Sequence, residues 1–240
     1  MLIINRFAFP GLLSLFFVNA AGRGDVLPTI APEIRTYIAP PAAEFADLYD
    51  ALNLKQAGLE RPPFDYALRG LSKVNPVRPV LSIVDLSQPS SHKRLYIIDL
   101  LARRLLFHTY VSHGRNSGQL MAGRFSNDPS SFQSSLGFYR TLGSYQGKHG
   151  LSLQLQGLER GVNDNAFGRA IVLHGAGYVC EEFIRQTGRL GRSQGCPAVS
   201  SALSQPIINA VKGGSCLFIY APDAGYLRKS SYLASPYTSA

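Results

Sequence analysis

Tryptophan is missing from this chain, methionine occurs twice, and cysteine three times in 240 residues. Three thiols cannot make the dense disulfide framework of a small secreted domain, and an odd count leaves at least one unpaired or shared between chains. Cys180 and Cys216 could pair and leave Cys196 free, or both could be buried and reduced. The Cα separation decides, and sequence does not give it. No CxxC, HxH or HExxH spacing is present, so the common zinc patterns are excluded. A zinc site assembled from Cys196, His174 and His113 is an alternative without a spacing to support it. Acidic residues are few: 15 against 24 lysines and arginines, a formal charge of +9. Such a balance suits an anionic partner such as a membrane surface or a wall polymer. The basic residues are scattered, and no basic run is interleaved with aromatics, which argues against nucleic acid. After the first twenty residues no apolar run is long enough to cross a bilayer, which takes about 20 residues.

What is present begins with a targeting segment. Arg6 precedes an apolar run from Phe7 to Val18, and Val18-Asn19-Ala20 is a small-x-small cleavage site. Residues 1–21 read as a cleavable signal peptide, cut near Ala20 or Ala21. The formal charge drops by one when Arg6 leaves with it. The alternative, a membrane anchor, is disfavoured by the short run. Export follows as an expectation, with a periplasmic address in a Gram-negative envelope.

The mature chain has the apolar content for a real core, 45% hydrophobic residues. A Pro/Ala-rich linker over 22–42 leads to a helical appendage, 43–76. There Phe45, Leu48, Tyr49 and Leu52 share one face, and Pro62 and Pro63 open a second helix. From Val80 the period changes to that of strands: "VLSIVDL", "KRLYIIDLL" and "RRLLFHTYVSHG". A long Gly/Ser/Asn loop, "GRNSGQLMAGRFSNDPSSFQSS", follows; loops of that length are functional or disordered. Further strands are "LGFYRTLG", "LSLQLQGL", "RAIVLHG" and "SCLFIYAP". Helices are expected at "VCEEFIRQT" and "SSALSQPIINAVKGG". The organisation is a mainly β (α+β) domain over 77–225, with a loose polar tail, 226–240.

The chemistry concentrates in "GRLGRSQGCPAV", Gly188 to Val199. A free cysteine usually packs as a small apolar side chain, yet Cys196 sits among glycines and arginines. A cysteine nucleophile needs a lowered thiol pKa, a base within reach and donors for an oxyanion. Arg192 and Arg189 supply positive potential. The N–H groups of Gln194, Gly195 and Cys196 can converge because Gly195 carries no side chain. A helix starting directly after Pro197 would add its dipole. The candidate bases are His174, closing "RAIVLHG", and His113, closing "TYVSHG". For each, the bland reading is a hydrogen-bonded structural histidine. Most Asn, Asp and Ser of "FSNDPSS" and "GVNDNAFGR" read as turn chemistry, and Arg169 as a structural partner of Asp164.

The stretch from His174 to Val199, "HGAGYV … GRLGRSQGCPAV", resembles the catalytic signature of the YkuD-type L,D-transpeptidases: a strand-closing His-Gly, a spacer, then Ser-x-Gly-Cys. The residues from "SHGRNSG" through "FSNDPSSFQSSLGFYRTLGSYQGKHG" to "GRAIVLHG" are similar to the exported subgroup known as the murein L,D-transpeptidase catalytic domain family. The likeness runs from Val80 to Tyr220. It implies a β-sandwich with a few peripheral helices and the cysteine loop at one end. It implies Cys196 as acyl-accepting nucleophile, His174 as general base and the Gly175 carbonyl as holder of its ring. Ser193 would shape the loop, Gln194, Gly195 and Cys196 would form the oxyanion hole, and Arg192 would bind a stem-peptide carboxylate. His113 is expected in the cleft. Two departures stand out: Gln194 occupies a position where members often carry a second histidine, and Ala198 one where many carry Arg or Asn. Arg192 or Arg189 would substitute for the latter. The implied reaction takes a tetrapeptide stem of peptidoglycan, releases D-alanine and passes the acyl group to an amine, with no cofactor or metal. The alternatives are an L,D-carboxypeptidase or amidase on the same machinery, or a wall-binding protein without activity. The oligomeric state is left open.

Overall fold

The computed structural model describes residues 42–234. The expected signal peptide and the linker up to residue 41 lie outside them, as do residues 235–240 of the expected tail. Eight strands build one mixed sheet. They are β1 (Val80–Asp85), β2 (Leu95–Asp99), β3 (Arg104–Thr109), β4 (Gly137–Gly147), β5 (Gly150–Gly157), β6 (Val172–Ala176), β7 (Ala198–Ser200) and β8 (Cys216–Tyr220). Their order across the sheet is β3-β2-β1-β8-β4-β5-β6-β7. β1 runs parallel to β8 and β6 parallel to β7, and the other neighbours are antiparallel. The two edges meet. Beyond β3 the chain reaches β7, where the Ser112 amide donates to Ala198 O at 2.8 Å, and Gly114 bridges Ser193. The sheet is therefore nearly closed, with the segment that follows β3 covering the edge at β7. The expected mainly β architecture holds, with few helices around it.

After the short helix α1 (Leu48–Ala51), two longer helices cover the sheet where their apolar stripes face it. In α2 (Arg61–Val74) the prolines occupy the first turn, where a missing N–H costs nothing. Phe64, Ala67, Leu68, Leu71 and Val74 fall on one stripe and are buried. This stripe packs on β1, β4 and β8, and its residues share one core with the strands. Gly70 is required there, because a Cβ would lie 2.1 Å from the Phe138 ring. Phe138 in turn stacks on Phe218, with centroids 4.3 Å apart. Such a pair contributes about 1 kcal/mol beyond its burial. The helix α4 (Ser201–Val211) packs on β5, β6 and β7, behind the strands that carry the cysteine loop.

Two expectations need correction. No helix begins directly after Pro197. Ala198–Ser200 pair with His174–Ala176 as β7, and α4 starts only at Ser201. The free edge of β6 captures those residues, so tertiary pairing overrides the local helical pattern. The segment from Tyr226 is not a loose tail through its described part. It includes α5 (Ala224–Lys229), and Tyr226, Ser230 and Leu233 are buried. The anchor is Glu159, itself buried. Its carboxylate accepts from the Phe138 amide at 2.8 Å, from Tyr226 Oη at 3.0 Å, and from Ser230 Oγ. Burial raises its pKa, and these donors oppose the shift.

Candidate active site

β6 begins beside the sulfur and carries the imidazole. The Val172 amide approaches Cys196 Sγ at 3.5 Å. Two residues on, His174 pairs with Ser152 of β5 on one side and Ala198 of β7 on the other. Period-2 alternation puts residue 174 on the same face of the strand as residue 172. His174 Nδ1 lies 2.9 Å from the Gly175 carbonyl. A carbonyl only accepts, so Nδ1 carries the proton and Nε2 is left with its lone pair. Burial lowers the His174 pKa. The Gly175 hydrogen bond opposes this, and neighbouring His149 and Lys148 add to it.

The cysteine loop is wound around Ser193. Its hydroxyl donates to Cys196 O at 2.6 Å and accepts from the Gly195 amide at 3.1 Å. Its backbone is tied to the opposite edge, Ser193 N to His113 O at 3.0 Å and Arg115 N to Ser193 O at 2.8 Å. Gly195 has φ +123, and a Cβ there would meet Gln133 O at 2.8 Å. Both facts demand glycine. Because the Gly195 N–H is spent on Ser193, it is not free for an oxyanion. Of the three amides expected to converge there, those of Gln194 and Cys196 make no hydrogen bond to another residue among the described residues.

Cys196 and His174 line one cleft of about 480 Å³. Arg115, Lys148, Arg169, Arg192 and His149 line it too, and no Asp or Glu does. The cleft is thus a positive hollow suited to anionic groups. The Arg192 guanidinium is braced through one nitrogen, Nη1, which donates to Arg115 O at 2.9 Å and Gly118 O at 3.1 Å. Arg189 does not line the cleft; its Nη1 donates to Leu190 O at 2.7 Å.

His113 is also absent from the cleft lining. It is 1% exposed, with Nδ1 2.8 Å from Arg94 Nη2 and Nε2 3.3 Å from Gly118 O. Arg94 can only donate, so Nδ1 accepts and Nε2 carries the proton. Burial, then the Arg94 charge, push the His113 pKa down to about 4. Both ring nitrogens are in use, so Cys196, His174 and His113 do not come together as zinc ligands. Among the described residues no group of three His, Cys, Asp or Glu could hold a metal ion. The three cysteines are all free thiols. Cys216 lies buried in β8, and Cys180 caps α3 (Glu181–Thr187), its sulfur accepting from Phe183 N.

The thiol itself departs from expectation. Burial raises the Cys196 pKa, while the Val172 amide, Arg169 and Lys148 pull it back only in part. The leading charges that act on it are those of Arg169 and Lys148. Nor does Arg169 pair with Asp164. Its guanidinium donates to Ser126 O, Ser135 Oγ, Ser131 Oγ and Gln133 O at 2.6–3.1 Å. Asp164 instead accepts from Asn127 and the Gly161 amide. Arg169 thereby fastens the long 126–135 loop beside Cys196. Sequence reasoning missed Lys148, His149 and Arg115 as members of the cleft. For the first two the signal was the turn "GKHG" between two strands, which places both residues at a hairpin tip.

The model of the L,D-transpeptidase catalytic domain family matches residues 55–220. The chain belongs to this family. Among solved structures, an L,D-transpeptidase from Mycobacterium smegmatis is 13% identical, with a TM-score of 0.37, over 60% of this chain and 59% of that one. An L,D-transpeptidase from Stackebrandtia nassauensis is 14% identical, with a TM-score of 0.36, over 77% and 80%. A fused Zn-dependent amidase/peptidase/peptidoglycan-binding domain-containing protein from Clostridium acetobutylicum is 14% identical, with a TM-score of 0.38, over 82% and 71%. The chain covers less than two thirds of the M. smegmatis enzyme. No curated protein matches it. The matched span of the family model contains β1 to β8 and both Cys196 and His174, and it begins before α2.

Proposed function

We propose that this L,D-transpeptidase-family chain is a cysteine acyltransferase acting on peptidoglycan stem peptides, with Cys196 as nucleophile and His174 as general base. The observation that carries the reading is the shared cleft: Sγ at the foot of β6, and an imidazole two residues on whose Nδ1–H is committed to the Gly175 carbonyl. With the imidazole pKa lowered and the thiol pKa raised, the resting pair is neutral. The proton moves as attack proceeds.

In the first half-reaction Sγ attacks the carbonyl of the penultimate, diamino acid residue of a tetrapeptide stem, and Nε2 of His174 takes the thiol proton. The amides of Gln194 and Cys196 receive the developing oxyanion. The C–N bond breaks, the imidazolium protonates the leaving amine, and D-alanine departs from a thioester. In the second half-reaction an amine of another stem attacks the thioester and gives its proton to His174. The C–S bond breaks and the proton returns to the thiolate. No cofactor enters either step. The positive lining of the cleft supports binding of stem carboxylates, and Arg192, which lines it, is the side chain proposed to hold one. Export to the cell envelope, by way of residues 1–21, belongs to the same reading.

Mass-spectrometric product analysis tests it. Mature protein incubated with disaccharide-tetrapeptide should yield a dimer lighter than two monomers by one D-alanine. Tripeptide alone would mark a carboxypeptidase. Unchanged substrate, from protein with a demonstrably free Cys196, would reject the acyltransferase.

A further inference from the structure

β4 and β5 join through a two-residue turn, Lys148-His149, between the paired glycines Gly147 and Gly150. Gly150 takes φ +76, a conformation that favours glycine and lets the turn stay this tight. Two residues further on, Ser152 pairs with His174, so the hairpin register fixes where its tip stands over β6. There the His149 ring lies against the His174 ring, centroids 4.5 Å apart and planes 23° from parallel. The Gly175 carbonyl holds His174 by one edge only. The hydrogen bond fixes one edge of this buried ring, and a second ring laid against its face restrains its plane.

We propose that His149 is a positioning residue for His174: the hairpin lays one imidazole on the face of the other and fixes the plane in which Nε2 meets Sγ of Cys196. This rests on the reading of His174 as general base. Beside burial, which is the main cause of the lowered His174 pKa, the same tip contributes: His149 and Lys148 both disfavour a proton on His174. The other titratable groups facing this cleft are Cys196 and Arg192 of the cysteine loop, Arg169, Arg115, Tyr145 and Tyr178. β7 and α4, which pack on β6, bring none. His149 itself is exposed at a hairpin tip, so its replacement leaves the core untouched.

The test is the pH profile of D-alanine release from disaccharide-tetrapeptide by the mature protein and its His149→Ala, His149→Phe, Lys148→Met and His174→Ala variants. His149→Ala should lower kcat about tenfold with KM changed less than about twofold, the expected size for a reacting group displaced without loss of binding. His149→Phe, which restores a ring, should recover most of the rate. In Lys148→Met and His149→Ala the acid limb of kcat/KM should move to higher pH, since removing a neighbouring positive charge favours protonation of the base. A His149→Ala enzyme with wild-type kcat and acid limb would overturn the proposal. So would a loss that Phe does not restore and that leaves the acid limb in place, the mark of a purely structural turn. An active His174→Ala enzyme would overturn the underlying assignment of the base instead.

Discussion

His113 and His174 each precede a glycine at the end of an apolar run, and the fold wires them in opposite ways. His113 has both ring nitrogens engaged, one by a fully buried arginine, and its backbone carbonyl holds Ser193. His174 has one nitrogen engaged by its own neighbour's carbonyl and opens onto the cleft that contains Cys196. Both pKa values are lowered mainly by burial. A depressed histidine is thus no sign of catalysis in itself. What separates a structural from a reactive imidazole is the number of ring nitrogens left over.

The largest effect that tests this contrast is on turnover. His174→Ala should lower kcat/KM about a thousandfold, within the usual range for a lost general acid–base, and Cys196→Ala should abolish it. Cys196→Ala should leave the thermal midpoint nearly unchanged. His113→Leu should do the reverse. It leaves the buried Arg94 guanidinium short of one acceptor and should cost about 2 kcal/mol in denaturant unfolding, while the folded fraction keeps kcat within about tenfold. A folded but inactive His113→Leu protein would erase the distinction.

Next comes the pH dependence of stability. A histidine whose folded pKa is about 4, against an ordinary value of 6.5, leaves the native state short of protons relative to the unfolded chain. Its contribution is therefore complete above pH 6.5 and is lost as pH falls toward 4, by up to about 3 kcal/mol. Chemical denaturation across that window should show the loss, and His113→Leu should flatten it. His174 acts in the same direction, so His174→Ala should flatten it less.

The smallest effect concerns the thiol. With its pKa raised, Cys196 of the free protein should react with iodoacetamide near neutral pH more slowly than an ordinary cysteine, whose pKa is about 8.5, and accelerate toward alkaline pH. Arg169→Gln should slow it several-fold further, because Arg169 is among the groups that favour the thiolate. Fast alkylation at neutral pH would mean a pre-formed ion pair and would contradict the neutral dyad.

How far the sequence discloses this arrangement depends on the range of the interactions. Ser193, Gly195 and Cys196 were legible because they act within one loop, where a hydroxyl, a left-handed glycine and a thiol satisfy one another over a few residues. The strands were legible from their alternation. From the residues alone the roles of His113 and His174 were not separable, since Arg94 reaches His113 from 19 positions away and Cys196 shares the cleft of His174 from 22 positions away, in directions only the fold determines. Arg169 was misread for the same reason: Asp164 is near in sequence, but the 126–135 loop is near in space. Lys148 and His149 were hidden by their turn, whose glycines explain the backbone without revealing what the tip touches. The strand Ala198–Ser200 was overlooked because three residues have no pattern of their own and take their form from the edge of β6.

The central claim, that Sγ of Cys196 accepts the acyl group with His174 as base, has a direct readout in intact-protein mass. Mature protein mixed rapidly with disaccharide-tetrapeptide and quenched in acid should gain the mass of the substrate less D-alanine. The adduct should map to Cys196, form far more slowly in His174→Ala, and be missing from Cys196→Ala. An adduct that persists in Cys196→Ala, or D-alanine release without any dependence on His174, would contradict the account.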